Sequence, residues 1–284
     1  MAHGARIGLH AGDRLLGERL GRLLPPGARP LSGDAVDTTF RVIPCDGEAG
    51  GSSALVDLRR DDRTIGRGLA LTEALARLES ELDFAVARLA RDCIFVHAGV
   101  VAWRGSAILI PGRSMSGKST LVHALVAAGA TYYSDEYAII DEAGLVHAYP
   151  RAIRLRGVIR AHTAPREEMH DLPPIQAGLV VSARHRSGAL WRPRPLTRRE
   201  SLFRLIRNTV HARLDPGRVL ASLAPLVLHA HAIEGARGEA CDAAQPILAL
   251  CSADRVVDFD IGFSHARPHP GSGGASHAAH PIAR

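Results

Sequence analysis

Lysine is almost absent from this 284-residue chain: of its 35 basic residues, one is a lysine, Lys118, and all the others are arginines. A chain that uses arginine everywhere else keeps a compact, flexible ammonium where a planar guanidinium would not fit. Aromatic residues are scarce at 4%. With no recognisable nucleic-acid motif, that scarcity argues against a base-stacking platform, so no nucleic-acid partner is expected. The four cysteines, Cys45, Cys93, Cys241 and Cys251, are scattered without a C-x-x-C pair. They read as four separate buried thiols of a cytosolic protein rather than a zinc site or disulfide framework. No run approaches the roughly 18 apolar residues of a membrane-spanning helix. Met1 to Leu20 mixes glycine and charge, unlike a signal peptide. A cytoplasmic protein without a membrane partner is expected.

Hydrophobic residues make up 46% and charged residues 23% of the chain, the balance of a globular protein. Folding a chain of this length buries about 75% of its unfolded surface, enough to need no covalent staples. The net charge of +6 is uneven, because 14 arginines between Arg151 and Arg213 face four carboxylates, Glu167, Glu168, Asp171 and Glu200, a local balance of +10. Such a stretch suits an acidic substrate or a phosphate, and equally a solvated surface that reflects composition.

Apolar spacing predicts a helix from Arg14 to Leu24, a strand from Thr38 to Ile43, and a hairpin of Ala54–Leu58 with Arg63–Gly66. A second amphipathic helix runs from Thr72 to Ala90. A hairpin of Ile94–Ala102 with Ser106–Ile110 turns at Arg104-Gly105. Helix Gly117–Ala128 and strands Thr131–Ser134, Tyr137–Ile140 and Leu145–Ala148 follow. Further on, strands are expected at Ala177–Ser182 and Leu190–Pro193, and helices at Glu200–Val210 and Val219–His231. From Gly262 the chain is Gly, Pro, Ser, Ala and His, which reads as a disordered tail.

Between the second hairpin and its helix lies Gly112-Arg113-Ser114-Met115-Ser116-Gly117-Lys118-Ser119, followed by Thr120, a complete Walker A (P-loop) pattern G-x-x-x-x-G-K-[ST]. An apolar strand precedes it and a helix follows, the context in which successive backbone N–H groups converge on phosphates at a helix N-terminus. The expected roles are phosphate contact for Lys118 and Mg²⁺ ligation for the Ser119 hydroxyl. Nucleotide-binding chemistry also calls for a carboxylate. Asp135 and Glu136 end the first strand after the helix, and Asp141 follows an apolar run but abuts the turn Glu142-Ala143-Gly144. Asp135 is the preferred base, with Asp141 as the alternative. His97, inside the apolar run leading to the hairpin, is either a core histidine or a site residue.

His97-Ala98-Gly99, Gly112 to Thr120 and Ser134-Asp135-Glu136, in that order and spacing, resemble the catalytic domain of HPr kinase/phosphorylase. The match covers about Cys93 to Tyr149. The resemblance implies an α/β P-loop nucleotide-binding fold with a mixed β-sheet, related to phosphoenolpyruvate carboxykinases. It also implies ATP and Mg²⁺ as cofactors, and transfer of the γ-phosphoryl to a serine of a peptide or small protein. Carried over, Asp135 takes the serine proton, His97 tunes it, Lys118 holds phosphate, and Ser119 with Glu136 holds the metal. Several features depart from the family. It has Asp-Asp where this chain has Asp135-Glu136. It places a metal-binding Glu before Ile-Arg-Gly, where this chain has Arg154 within Ile153-Arg154-Leu155-Arg156-Gly157. The later loop linked to the reverse reaction has no counterpart, and the first 90 residues do not resemble the family's sensor-like domain.

The expected organisation is therefore an N-terminal extension (1–91), a kinase core (92–261) and a tail (262–284). The expected acceptor is a serine on a peptide or small protein, and the arginine-rich stretch suits an acidic one. A small-molecule alcohol kinase and a non-catalytic ATP/GTP switch are the alternatives, and a homo-oligomer stays open.

Overall fold

The computed structural model describes residues 1–33, 35–45, 55–112, 116–151, 153–155, 158–160 and 172–252. Arg113, Ser114 and Met115 of the Walker A pattern, Arg156, Gly157 and the expected tail lie outside the described residues, as does the side chain of Arg154. Met1–Ser252 clusters as one compact unit.

The chain opens with a four-stranded sheet in the order β1 (Ile7–Ala11), β2 (Thr38–Pro44), β3 (Leu55–Arg60), β4 (Arg63–Ala70). β1 and β2 run parallel, and the rest of this sheet is antiparallel. Helix α1 (Arg14–Gly21) lies between β1 and β2, its first turn held by the Asp13 carboxylate, which accepts from the Leu16 N–H at 2.8 Å. Helix α2 (Leu71–Leu89) follows β4. Its apolar stripe serves two cores. Leu78 and Leu82 pack with Leu16, Leu20, Phe40, Val42 and Leu58. Val86 and Ala87, about one turn further on, pack with Phe95, Tyr137, Ile139 and Tyr149.

The second sheet has eight strands: β5 (Ile94–Trp103), β6 (Ser106–Pro111), β7 (Thr131–Ser134), β8 (Tyr137–Ile140), β9 (Leu145–His147), β12 (Ile175–His185), β13 (Arg194–Pro195) and β14 (His231–Arg237). β10 (Ile153–Leu155) and β11 (Val158–Arg160) form a separate hairpin. The order β13-β14-β12-β6-β5-β8-β9, with β9 also pairing β12, closes one end of the large sheet on itself. β6, β12 and β14 are parallel, so their C-terminal ends share one edge. The chain is thus a mixed α/β protein with mixed sheets.

Period-two alternation places Val100 and Leu109 on one face of this sheet and Val101, Ile108 and Ile110 on the other. α4 (Arg198–Ile206) and α5 (Pro216–His229) cover the first face through Leu205, Val219 and Leu223. α3 (Lys118–Ala127) and α6 (Ala240–Ser252) cover the second through Leu121, Val122, Leu125, Ala243 and Ile247.

Several expectations need correction. α1 stops at Gly21, short of Leu24. α4 starts at Arg198, because Thr197 and Glu200 form a capping box one turn ahead of the expected start, and it ends at Ile206. The strand expected at Leu190–Pro193 is instead Arg194–Pro195, the stretch that pairs with β14. β1, β14 and α6 were not anticipated, and β14 begins at His231, where a helix was expected to end. Of the four thiols, Cys93 is buried, Cys45 and Cys251 are half-buried and Cys241 is exposed.

The approach of α3 to β5 depends on Gly99, since a β-carbon there would collide with the Val122 side chain. Gly99→Ala is expected to destabilise the fold by about 1–3 kcal/mol through overpacking. Adding Val122→Ala should recover part of that loss, with both variants read by urea denaturation.

Candidate functional site

β6 runs out at Pro111 and α3 starts at Lys118, so the Walker A pattern bridges a strand end and a helix start. Gly117 is the α3 N-cap with φ +86° and brings no side chain to cap the helix. Only glycine adopts that conformation freely, and the first N–H groups of a helix have no partner within it. Lys118 is buried at 8% exposure, Ser119 is half-buried and Thr120 is exposed. Burial pulls the Lys118 ammonium below its ordinary range, while Glu136 and, to a lesser degree, Asp135 pull it back up. The charge of Lys118 on α3 is thus felt by the carboxylates that follow β7, Glu136 more than Asp135. Gly112 joins the same locus through its N–H, which donates to the His97 carbonyl at 3.1 Å.

Asp135 is buried and Glu136 more open, with 47% of its side chain exposed. The Tyr132 hydroxyl donates to Asp135 Oδ1 at 2.9 Å and lies 2.8 Å from the Arg151 carbonyl oxygen, so one phenolic proton serves two acceptors. Burial, reinforced by Asp135, holds the Tyr132 phenol well above its usual range, which keeps it a neutral donor. The Ser134 hydroxyl accepts from the Glu136 and Tyr137 N–H groups at 3.2 and 3.1 Å, shaping the turn that presents both carboxylates.

His97 is half-buried on β5, stacked on Tyr137 with centroids 4.6 Å apart, and its Nδ1 lies 4.0 Å from Glu136 Oε1. The carboxylate seen beside His97 is therefore Glu136, the neighbour of the Asp135 it was expected to tune. Burial, with Lys118 adding to it, lowers the His97 pKa and favours a neutral imidazole. Asp141 stands apart in the β8–β9 turn. Its Oδ1 accepts from the Ala143 and Leu145 N–H groups, and its Oδ2 lies 2.8 Å from His147 Nε2. Those bonds give Asp141 a turn-building role.

Three residues at this locus were not singled out from the sequence. Tyr132 reads there as one more strand residue, and Arg151 as one of 14 similar arginines. Arg237 closes a strand that the sequence does not announce. Its Nη2 donates to the Gly117 carbonyl at 2.9 Å, so it touches the Walker A pattern from the far side of β12. The Asp135-Glu136 pair was the one available signal for Tyr132, which lies on β7 three residues before Asp135.

The arginine-rich stretch divides into structural and exposed members. Arg151 is buried, and Arg194 and Arg204 pair with Glu234, Arg194 also with Glu200. Arg184, Arg186, Arg192, Arg198, Arg199, Arg207 and Arg213 are exposed. Among the described residues no group of three or more His, Cys, Asp or Glu side chains could hold a metal by itself, and no helix is long and apolar enough to cross a membrane.

Among solved structures, the chain is similar to the Hpr(Ser) kinase/phosphatase from Coxiella burnetii, at 14% identity and a TM-score of 0.33, with 55% of this chain and 92% of that one covered. No protein-family model and no curated protein matches the chain. A TM-score this low fixes neither fold family nor activity, which leaves the site itself to speak for function.

Tyr132→Phe removes the donor that joins Asp135 to the Arg151 carbonyl while keeping the ring. It is expected to lower stability by about 1–3 kcal/mol, measured as a shift in the urea midpoint. An unchanged midpoint would show that this hydrogen bond contributes nothing net.

Proposed function

We propose that the chain is an ATP-dependent phosphotransferase of HPr kinase-like P-loop architecture that transfers the γ-phosphoryl to a serine hydroxyl of a peptide or small protein, in a cytoplasmic setting. One observation carries this reading: a buried lysine at the start of a helix, directly after a left-handed glycine, with two adjacent carboxylates acting on its charge. A desolvated ammonium at a helix N-terminus favours an anion. Carboxylates beside them favour a substrate that also brings a proton or a metal.

In this mechanism Gly112, Arg113, Ser114, Met115, Ser116, Gly117, Lys118, Ser119 and Thr120 bind the triphosphate, with Lys118 balancing charge on the β- and γ-phosphates. The acceptor hydroxyl oxygen forms the new bond to the γ-phosphorus, the bond from that phosphorus to the β–γ bridging oxygen breaks, and ADP leaves. The hydroxyl proton goes to the Asp135 carboxylate. Tyr132 holds that carboxylate in place, and His97, neutral beside Glu136, tunes it. The Ser119 hydroxyl and the Glu136 carboxylate fit Mg²⁺, which takes one or two protein oxygens and completes its shell with phosphates and water. When bound, Mg²⁺ neutralises charge on the transferring phosphates. The exposed arginines of the 184–213 stretch favour an acidic acceptor, because guanidinium forks grip carboxylates bidentately.

Lys118 and the N-terminal amine are the only primary amines on the chain. An amine-directed ATP analogue should therefore label one internal site, and excess ATP should protect it. Absence of labelling at Lys118 in folded protein would remove the nucleotide assignment.

Asp135→Asn should keep nucleotide affinity while transfer falls about 10²-fold or more, followed by mass shift on a pool of serine peptides and small alcohols. Full transfer by Asp135→Asn would reassign the base. Transfer to a small alcohol alone would replace the peptide acceptor, and nucleotide-dependent partner binding with no transfer would replace the enzyme with a switch.

A further inference from the structure

Building on the nucleotide-binding reading above, we infer that Arg237 is a second cation of the phosphate site, delivered from the C-terminal end of β14 to the polyphosphate chain of the nucleotide. Because β6, β12 and β14 are parallel, the strand that feeds the Walker A pattern and the strand that ends in Arg237 finish at the same edge. β12 lies between them, and the Arg237 side chain reaches across its end. The guanidinium Nη2 donates to the Gly117 carbonyl and Nη1 to the Gly238 carbonyl, both at 2.9 Å. A β-carbon on Gly117 would come within 2.8 Å of Nη2, so glycine at this position also makes room for the guanidinium.

Arg237 is only 3% exposed. Among the described residues it forms no ion pair at 4.0 Å or less, whereas Arg151, the other deeply buried arginine, pairs with two carboxylates. Burial pulls the Arg237 guanidinium below its ordinary range, and Glu239 is the one charge opposing that pull. Carbonyl oxygens satisfy two of its five N–H donors and supply no counter-charge. A desolvated charge without a counter-ion is costly to the fold. The location supplies the missing partner, since the carbonyl that Arg237 grips belongs to the residue that caps α3 and precedes Lys118. An anionic polyphosphate held by the helix N-terminus and Lys118 also relieves the Arg237 charge.

If Arg237 only clamps Gly117, it is a neutral hydrogen-bond donor in effect, and its loss acts on every ligand alike. If it is a phosphate-site cation, its loss grows with the number of phosphates. The test measures dissociation constants of inorganic tripolyphosphate, ATP and AMP by calorimetry for wild type, Arg237→Gln and Arg237→Lys, with a thermal melt of each ligand-free protein. Arg237→Gln is expected to weaken tripolyphosphate and ATP about tenfold or more and AMP distinctly less. Arg237→Lys, which keeps the charge and loses the fork, should weaken tripolyphosphate a few-fold. Unchanged tripolyphosphate affinity in the variants, or equal losses for AMP and ATP, would overturn the inference. Should Arg237→Gln fail to fold, the AMP-to-ATP contrast in Arg237→Lys decides by the same criterion. A wild type that binds neither tripolyphosphate nor ATP would overturn the nucleotide reading itself, an outcome distinct from normal wild-type binding with indifferent variants.

Discussion

The burial of the Arg151 guanidinium is the constraint around which this molecule is arranged. Its side chain is 7% exposed and contacts Asp83 and Glu79 of α2. It also donates to the Leu23 and Leu24 carbonyls beyond α1 and lies over the Tyr149 ring, whose hydroxyl donates to Asp83 at 2.6 Å. Removing any one partner of such a cluster strands a charge in the interior, so its members are held together far more tightly than exposed pairs would be. Every side-chain partner on the acidic side comes from the first 90 residues. The backbone of Arg151, in turn, belongs to the segment that follows β9, and its carbonyl meets the Tyr132 hydroxyl beside Asp135. The N-terminal sheet and the candidate site therefore share a short, fully buried set of contacts running from α2 through Arg151 and Tyr132 to Asp135.

A second constraint comes from where the parallel strands end. Outside the carboxyl ends of parallel strands, loops and helix N-termini gather along one edge. Here that edge is formed by β6, β12 and β14. β5 runs antiparallel to β6, so its N-terminal half, with His97, lies beside the end of β6 where the Walker A pattern begins. β7 and β8 both pair with β5, and the carboxylates sit in the tight turn between those two strands. One antiparallel hairpin thus aligns His97, Gly112 and the Asp135-Glu136 turn without any long connection.

The middle of the chain is legible from sequence because local signals there agree with tertiary ones. The Arg104-Gly105 turn, the apolar runs on either side and the Walker A glycines fix β5, β6 and α3 closely, and β7 and β8 match the expected bounds residue for residue. The C-terminal third is less legible. β14, His231–Arg237, contains Glu, Gly and two Ala with one β-branched residue, and it becomes a strand because β12 and β13 pair with it on both sides. α6 carries Pro246 within an Ala-rich run, a local argument against helix that burial of Ala243, Ala244, Ile247 and Leu248 overrides. The site follows the same division. Lys118, Ser119, Asp135 and Glu136 belong to a contiguous motif and its sequel, whereas Tyr132, Arg151 and Arg237 acquire meaning only from partners 3, 68 and 120 positions away.

The same contrast bears on the uneven use of basic residues. A guanidinium is broad, planar and weakly hydrated, so it tolerates burial when carbonyls or carboxylates lie in its plane, as around Arg151 and Arg237. An ammonium on a flexible stem needs less room and can turn three donors towards a converging set of oxygens. Lys118 occupies the one described position where a buried cation emerges from the first turn of a helix, directly after a left-handed glycine, with two carboxylates close by. An arginine there would have to place a second rigid fork beside the Arg237 guanidinium, which already donates to the Gly117 carbonyl. With 34 arginines serving every other cationic role, crowding beside the Arg237 guanidinium best accounts for the single lysine.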